Sequence, residues 1–467
     1  MSILFANQTD DVKFQHPQYI EHYNQVHMLQ NIYKGIDSAK RYIKQAPMES
    51  ETSFIDRQNS ATVKNFVKRA VEAFVGMIFR KDVDASGYDE KLDAFFKKID
   101  TKNDLNKFSR DLAASLIRDG KAYIAVDTPI GGGDPYMAII GRQRVTNWRK
   151  DLQGRYTMLV AYEAIERAYG DYGLEVVERW RVYRDDGSVE IWEEDSTGLH
   201  LADVIQTEFN YIPIIDLDLS DVPMLYDIAK MTIKHMNRTS FKDKYLDMSA
   251  IPIPLIWGVS ADDGDATGKK PAYVIGVDEA FVFSGTKDES DFQWRELSGS
   301  SIKALQDDLK IIEEDITSGV IKATVAESTT IKTATQSFYE AAESSNRVTM
   351  IAVIIEAALN QAVAMMADMA NITVSPDARI RINKDFNGVT QDPNALRLLW
   401  EVYLSGGLSI ETFLKSLESY EVIDIGSVDN ELERIKNDTF APHQRDIGQQ
   451  TAKQMDNNLL SQMNIKK

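Results

Sequence analysis

Side chains placed to attack a bond, ligate a metal or cradle a phosphate are sparse in this chain of 467 residues. Asp216, Asp218 and Asp221 alternate at the end of the apolar run IPIIDLDL, a spacing that can seat a magnesium ion in a nuclease and that equally describes a solvated strand edge. Gly264 to Lys270, GDATGKK, has the glycines and lysine of a phosphate loop, but three residues separate the glycines where four are needed. No Ser or Thr follows the lysine to hold magnesium, and Pro271 stands where a helix would have to continue, so the stretch is a turn. His16, His22 and His27 lie near Glu21, yet separations of six and five residues put no two of them on one helical face. There is no G-x-S-x-G elbow, no dinucleotide fingerprint and no cysteine. The sequence therefore predicts no catalytic residue, no metal and no cofactor.

Charge placement is more informative. Lys230, Lys234, Arg238 and Lys242 recur every fourth residue and form one basic ridge if the segment is helical. Asp307, Asp308, Glu314 and Asp315 form an acidic face on a second segment of helical spacing. Opposite faces of this kind suit pairing within a subunit or between neighbours, and also two solvated surfaces that never meet. Between them, Asp262, Asp263 and Asp265 with Lys269 and Lys270 belong to an insert carrying nine acids against four bases. That balance suits docking to a basic partner, or solubility alone.

The elements that must carry these residues follow from periodicity. A helical stripe runs over 59–79, and a second helix over 105–118 has Asp104 as N-cap and Asp119-Gly120 as its stop. The period then changes to two, with strands at 121–127, 136–140, 156–166, 174–183, 188–194 and 212–219 separated by turn text. Helix-compatible text over 221–250 and over 300–320 flanks the β-rich insert 251–297, giving two struts with a small β module between them. Lys322 to Gln336 is thick with Thr and Ser and reads as a loop, with Lys322, Ser328, Thr329, Thr330, Lys332 and Thr333 on it. A long helix over 337–370, strand-like ITV and ARIRIN, and helices at 394–404, 409–419 and 428–437 complete the chain before a polar tail. The fold class is α+β.

Composition sets the outer bounds. Hydrophobic residues at 43% and charged residues at 27% exclude wholesale disorder, and the length allows roughly three domains at ~150 residues each, or one multi-part subunit. Without cysteine there are no disulfides, thiolate zinc sites or cysteine nucleophiles. MSILFANQTDDVKFQHP has no basic leader, and the apolar stretch 350–370 carries Glu356, Asn360, Gln361 and Asp368, so no membrane segment or export signal is expected. With 72 acidic residues against 53 basic, the net charge of -19 argues against a protein that grips nucleic acid by broad neutralisation.

In its order of parts the chain resembles the portal, or head-to-tail connector, proteins of tailed bacteriophages. The residues that carry the resemblance are LIRDGKAYIAVDTP (116–129), VTNWR (145–149), IPIIDL followed by VPMLYDIAKMTIKHMNRTSFKDKYL (222–246), LIWGV (255–259) and LSIETFLKSL (408–417), in the right order over roughly 60–440. The resemblance implies an elongated portal-type subunit: an N-terminal arm (1–55), an α+β wing (56–220), stem helix 1 (221–250), a small β-containing clip (251–297) and stem helix 2 (298–321). A tunnel loop facing DNA (322–336), a long wing helix with strands (337–390), crown-like helices (391–440) and a polar C-terminal tail (441–467) would follow. It implies a homo-oligomeric ring, usually of twelve subunits, at one capsid vertex of the virion, assembled in the host cytoplasm. The implied partners are the major capsid protein, the terminase large subunit, adaptor or tail proteins, and double-stranded DNA passing through the channel; no membrane and no catalysis are implied. The alternatives are another virion assembly protein, such as a shell component or adaptor, and a magnesium-dependent nucleic-acid enzyme built on Asp216, Asp218 and Asp221.

Overall fold

A computed structural model describes residues 11–47, 49–100, 102–129, 133–195, 198–207, 209–249, 253–257, 281–283, 292–295, 300–324, 334–384, 393–419 and 431–434. The chain divides into two units, Met1–Phe386 and Asn387–Lys467. The fold is α+β.

The first unit opens with helices α1 (Pro17–Lys34), α2 (Ile36–Ala39), α3 (Glu51–Ser60) and α4 (Phe66–Ile78), strand β1 (Asp84–Ser86), and helices α5 (Glu90–Phe96) and α6 (Leu105–Asp119). Strands β2 (Lys121–Asp127), β3 (Tyr136–Gly141), β4 (Val145–Lys150), β5 (Tyr156–Tyr169), β6 (Gly173–Arg184), β7 (Ser188–Asp195), β8 (Gly198–Gln206) and β9 (Ile214–Asp218) follow. Helix α7 (Tyr226–Ser249) leads to β10 (Ile253–Trp257), β11 (Phe281–Phe283) and β12 (Phe292–Arg295), and α8 (Ser300–Thr324), α9 (Ala334–Met369) and β13 (Arg379–Arg381) end the unit. The second unit holds α10 (Pro393–Leu404) and α11 (Ile410–Ser419), whose Tyr403 and Phe413 rings stack at 4.4 Å.

Three layers stack through the body. A helical layer packs on a three-stranded sheet of order β3-β2-β9, and the far side of that sheet packs on a five-stranded antiparallel meander, β4-β5-β6-β7-β8. Strand β2 is central, so both faces are covered and its text, KAYIAVD, is almost continuously apolar rather than alternating. Its period of two still sorts the side chains: Ala122, Ile124 and Val126 enter the helical core, Tyr123 and Ala125 the inter-sheet core. Helix α9 lies over the same sheet and buries Val348, Ile351, Ala352, Ile355, Leu359, Ala362 and Met366. It is long and apolar enough to cross a membrane by length and composition, but half of that stretch is buried inside the protein.

The join between α6 and β2 is fixed by Gly120. Asp104 caps the helix start by accepting from the Lys107 N–H at 2.8 Å, and Gly120 ends it with φ +78° in the left-handed region. The Gly120 carbonyl accepts from both Leu219 and Ser220 N–H groups, which sets β9 beside β2. A Cβ at this position would lie 2.5 Å from the Ser220 carbonyl oxygen, so glycine is required on two counts.

Several expectations need correction. Residues 1–55, expected as an arm or early helix, supply α1, which buries Leu29 and Ile32 in the main core and also buries Val26. Its apolar signal is weak because buried Gln30 and Asn31 are hydrogen-bonded, Gln30 to Asp119 at 3.2 Å and Asn31 to the Tyr42 hydroxyl at 3.1 Å. The stripe over 59–79 resolves into α4 alone, because Asn65 caps it at residue 66 by accepting from Lys68 N–H. Residues 322–324 and 334–336, expected in a loop, are helical ends of α8 and α9, and ITV (372–374) is not a strand. The helix expected at 428–437 is seen at 431–434 and otherwise lies outside the described residues.

Candidate functional site

The two struts exist as helices α7 and α8 and pack against each other. Text from Tyr226 to Ser249 holds no Gly or Pro, so nothing interrupts the helix. The pairs Arg238 with Asp308 and His235 with Glu313, and the cluster of Ile228, Met231, Ile312, Ile316 and Phe66, run in opposite senses along the two chains. The helices are therefore antiparallel, and the small sheet between them, order β11-β10-β12, is the insert the sequence predicted. β10 pairs parallel with β11 and antiparallel with β12, the strand FQWR that the sequence did not reveal.

The basic ridge divides into two parts. Arg238 Nε lies 3.3 Å from Asp308 Oδ2, with side chains 49% and 38% exposed, so these residues pair inside one subunit. Lys230 sits over the Tyr226 ring at 4.1 Å and 3.9 Å from Asp227, and Lys242 lies 3.3 Å from Asp243; both contacts are local to α7. Exposed Lys234 has no ion pair among the described residues, and the same holds for exposed Asp307, Glu314 and Asp315 on α8, where Lys303 and Lys310 share the outer surface. Once Arg238 and Asp308 are paired, the middle of α7 presents Lys230 and Lys234 outward, with Asp227 and Asp247 exposed nearer its ends, and α8 presents mainly carboxylates.

The strongest contact between the struts was not legible. His235, 3% exposed, places Nε2 2.8 Å from Glu313 Oε1, and Lys64 from the loop ahead of α4 reaches the same oxygen at 2.6 Å. Partial burial pushes the Glu313 carboxyl up, but the bonds from Lys64 and His235 outweigh it and hold the group below its ordinary value. At the other flank Arg57, 1% exposed, donates to both Glu49 oxygens at 2.8 and 2.7 Å, to the Lys44 carbonyl and to Ser240 on α7, and lies 3.9 Å over the Phe241 ring. Those bonds hold the Glu49 carboxyl down at about 2. The base of α7 is thus fixed to the body by two charge clusters.

Asp216, Asp218 and Asp221 come together at the rim of a cavity of about 300 Å³ lined also by Tyr19, Tyr123, Trp148 and Tyr156. Each carboxylate is already occupied. Lys150 Nζ lies 3.1 Å from Asp216 and the Tyr156 hydroxyl donates to it at 2.9 Å; Lys121 Nζ lies 2.9 Å from Asp218 and 2.8 Å from Asp221. Burial disfavours the Lys121 ammonium, but the two carboxylates outweigh it and raise its pKa. A divalent cation would have to displace two lysines, and among the described residues no group of three or more acids or histidines is placed to hold a metal. The histidines are separate: His16 caps α1 and stacks on Trp148 at 4.0 Å, while His27 stacks on Tyr23 at 5.4 Å.

Lys322 lies in the last turn of α8, which ends at Thr324, rather than in a loop. Ser328, Thr329, Thr330, Lys332 and Thr333, and in the insert Asp262, Asp263, Asp265, Lys269 and Lys270, lie outside the described residues.

An α+β body with an antiparallel helix pair and an inserted β module is the class of subunit these features define. A family model described as a domain of unknown function (DUF4055) matches residues 224–370, which span α7, the insert, α8 and α9. No curated protein matches. Among solved structures, the chain is similar to a chain of the neck of an empty gene transfer agent particle, at 12% identity and a TM-score of 0.41, covering 76% of this chain and 89% of that one. It is also similar to a chain of the virion of a native gene transfer agent particle, at 11% identity and a TM-score of 0.40, covering 74% and 88%. At such scores the likeness assigns no role.

Proposed function

We propose that this protein is a phage-type portal subunit, a non-enzymatic structural protein of the head-to-tail region of a virion. Copies would close into a ring through which double-stranded DNA enters during packaging and leaves during ejection. The observation that carries the proposal is the antiparallel pair α7–α8, fixed to an α+β body at one end and joined through a small β module at the other. Outward cations on α7 and outward carboxylates on α8 give each subunit two unlike flanks. Unlike flanks make head-to-tail contacts, and such contacts generate closed rings when the rotation per copy closes. Lys234, with Lys230 and Lys242, would face Asp307, Glu314 and Asp315 of the next copy.

The charge balance suits a conduit. Duplex DNA carries one negative charge per about 1.7 Å of axis, and a wall rich in cations would retain it by counterion release. A net charge of -19 repeated in every subunit repels the backbone and lets it slide. Lys322, Ser328, Thr329, Thr330, Lys332 and Thr333 are proposed to touch DNA transiently. The insert, with Asp262, Asp263, Asp265, Lys269 and Lys270, is proposed to dock the terminase large subunit and later adaptor or tail proteins, and the body to meet the major capsid protein. Negative-stain imaging of the purified chain tests the proposal: a round particle with a central hole is expected, and a solid or open assembly would instead favour a shell component or adaptor.

A further inference from the structure

The five-stranded sheet has one face against the body and one face that is mostly bare. Residues directly opposite in an antiparallel pair share a face. The register Val160↔Val182, Tyr162↔Trp180, Trp180↔Trp192 and Trp192↔Leu201 places these side chains on the outer face. Glu190↔Val204, Glu194↔Leu199, Glu166↔Val176 and Ala168↔Leu174 extend the same face to the edge strand β8 and along β5 and β6. Its centre is a small cluster of Met158, Val160, Trp180 and Val182, on which, among the described residues, Val12 is the only apolar residue from outside the sheet. Beside Val12, Lys13 extends its ammonium to Glu194 at 2.5 Å and to 5.2 Å from the Trp180 ring.

Beyond that point the apolar surface continues, and among the described residues nothing covers it. Leu174 is 62%, Val176 61%, Leu201 47% and Val204 51% exposed. The Leu174–Val176 part lies on a two-stranded ribbon, because β4 ends opposite Ala161 and β7 pairs with β6 no further than Glu178. Two strands alone are marginal in water, so apolar side chains on such a ribbon are costly unless something covers them. The charges on the ribbon are mainly acidic, with Arg144 near Tyr162 at its base. Glu166 and Glu178 share the face, Asp171 and Glu175 lie on the ribbon, and its one cation, Arg167, is committed to Glu193 at 2.8 Å.

We propose that this outer face, from Leu201 to Leu174 and Val176, docks an extended segment of another protein in which apolar residues alternate with lysine or arginine. The chemistry is set by what the face already holds. Val12 fills the apolar cluster while Lys13 meets a carboxylate and the face of a tryptophan, and the uncovered region repeats the same pairing of apolar side chains with Glu166 and Glu178. An extended segment presents alternate residues every ~6.8 Å, the spacing of successive same-face residues along β6. This docking surface does not depend on ring formation.

The test uses the full chain and three capped peptides of equal length, alternating Val-Lys, Val-Glu and Ser-Lys, with binding followed by fluorescence anisotropy. The Val-Lys peptide is expected to bind and the other two at least about tenfold more weakly. Leu174→Ser with Val176→Ser should weaken the Val-Lys peptide about tenfold, and Glu166→Gln with Glu178→Gln should weaken it and flatten its salt dependence. Leu201→Ser, on edge strand β8 away from the two-stranded ribbon, should also weaken it, which guards against an effect of ribbon misfolding. Equal binding of the Val-Glu peptide, or indifference to all of these substitutions, overturns the proposal. A fall in particle mass caused by Leu174→Ser with Val176→Ser in the absence of peptide also overturns it, since the face would then be covered by a second copy.

Discussion

Reversing Arg238 and reversing Lys234 are expected to damage different things, although the two residues sit one helical turn apart. Arg238 pairs with Asp308 within the subunit at 3.3 Å, with both side chains partly exposed. A pair so placed is worth about 0.2–1 kcal/mol, and Arg238→Glu replaces it with like charges whose repulsion at this exposure adds about 1 kcal/mol. Subunit stability should therefore fall by about 1–2 kcal/mol in urea unfolding, and Asp308→Lys should restore most of it. Lys234→Glu breaks no ion pair among the described residues, so its stability should stay within about 0.5 kcal/mol of the parent. Assembly is where it should act. Mass photometry at subunit concentrations near the assembly midpoint should show the Lys234→Glu ring weakened, more so at low salt, and Glu314→Lys should partly restore it while Asp308→Lys should not. If Arg238→Glu leaves stability unchanged, or if one acid substitution rescues both variants equally, the division of the ridge into internal and external parts is wrong.

Other outcomes follow from named contacts. Gly120→Ala should destabilise the subunit by about 1–3 kcal/mol in urea unfolding, since it strains a left-handed residue and drives a Cβ onto the Ser220 carbonyl. The Glu49 carboxyl, held at about 2 by Arg57, contributes stability that is fully present above its ordinary value of 4.5 and is lost as pH falls through about 2. A melting temperature that drops between those pH values in the parent but is flatter in Glu49→Gln would bear this out. Changing Asp216, Asp218 and Asp221 together to Ala should reveal no loss of magnesium-dependent DNA cleavage, because the parent is expected to have none; it should lower the melting temperature by releasing Lys121 and Lys150. Robust cleavage by the parent that vanishes in the triple variant would refute the structural account of these residues.

Local signals gave up the parts of the fold that local physics determines. Helix α6 was readable to within a residue because Asp104 and Gly120 mark its ends, and β2 because a central strand must be apolar on both faces. The struts were readable because α7 lacks breakers and α8 keeps a three-four apolar spacing. Strand β8, GLHLADVIQ, gave no usable alternation because it is an edge strand largely exposed to water, and β12 was hidden in the insert's acidic text. Helix α1 was open in the sequence, as an arm or an early helix, because its buried face mixes apolar Leu29 and Ile32 with the amides Gln30 and Asn31, which are satisfied by Asp119 and Tyr42. For the candidate site, the periodicity found the ridge and the acidic face, but not that Arg238 and Asp308 pair internally or that His235 and Glu313 join the struts, since both depend on the phase at which two helices meet. The same limit applied to the aspartates, whose alternation was visible and whose lysine partners, from β2 and β4, were not.

The most direct measurement is the image and mass of the purified chain. Under the proposed portal role, the 52.8 kDa chain should give closed round particles with a central hole and a mass many times that of one chain, falling when Lys234 is reversed. A uniform species of one subunit mass at high concentration, unchanged by salt and without ring-shaped particles, would contradict the account.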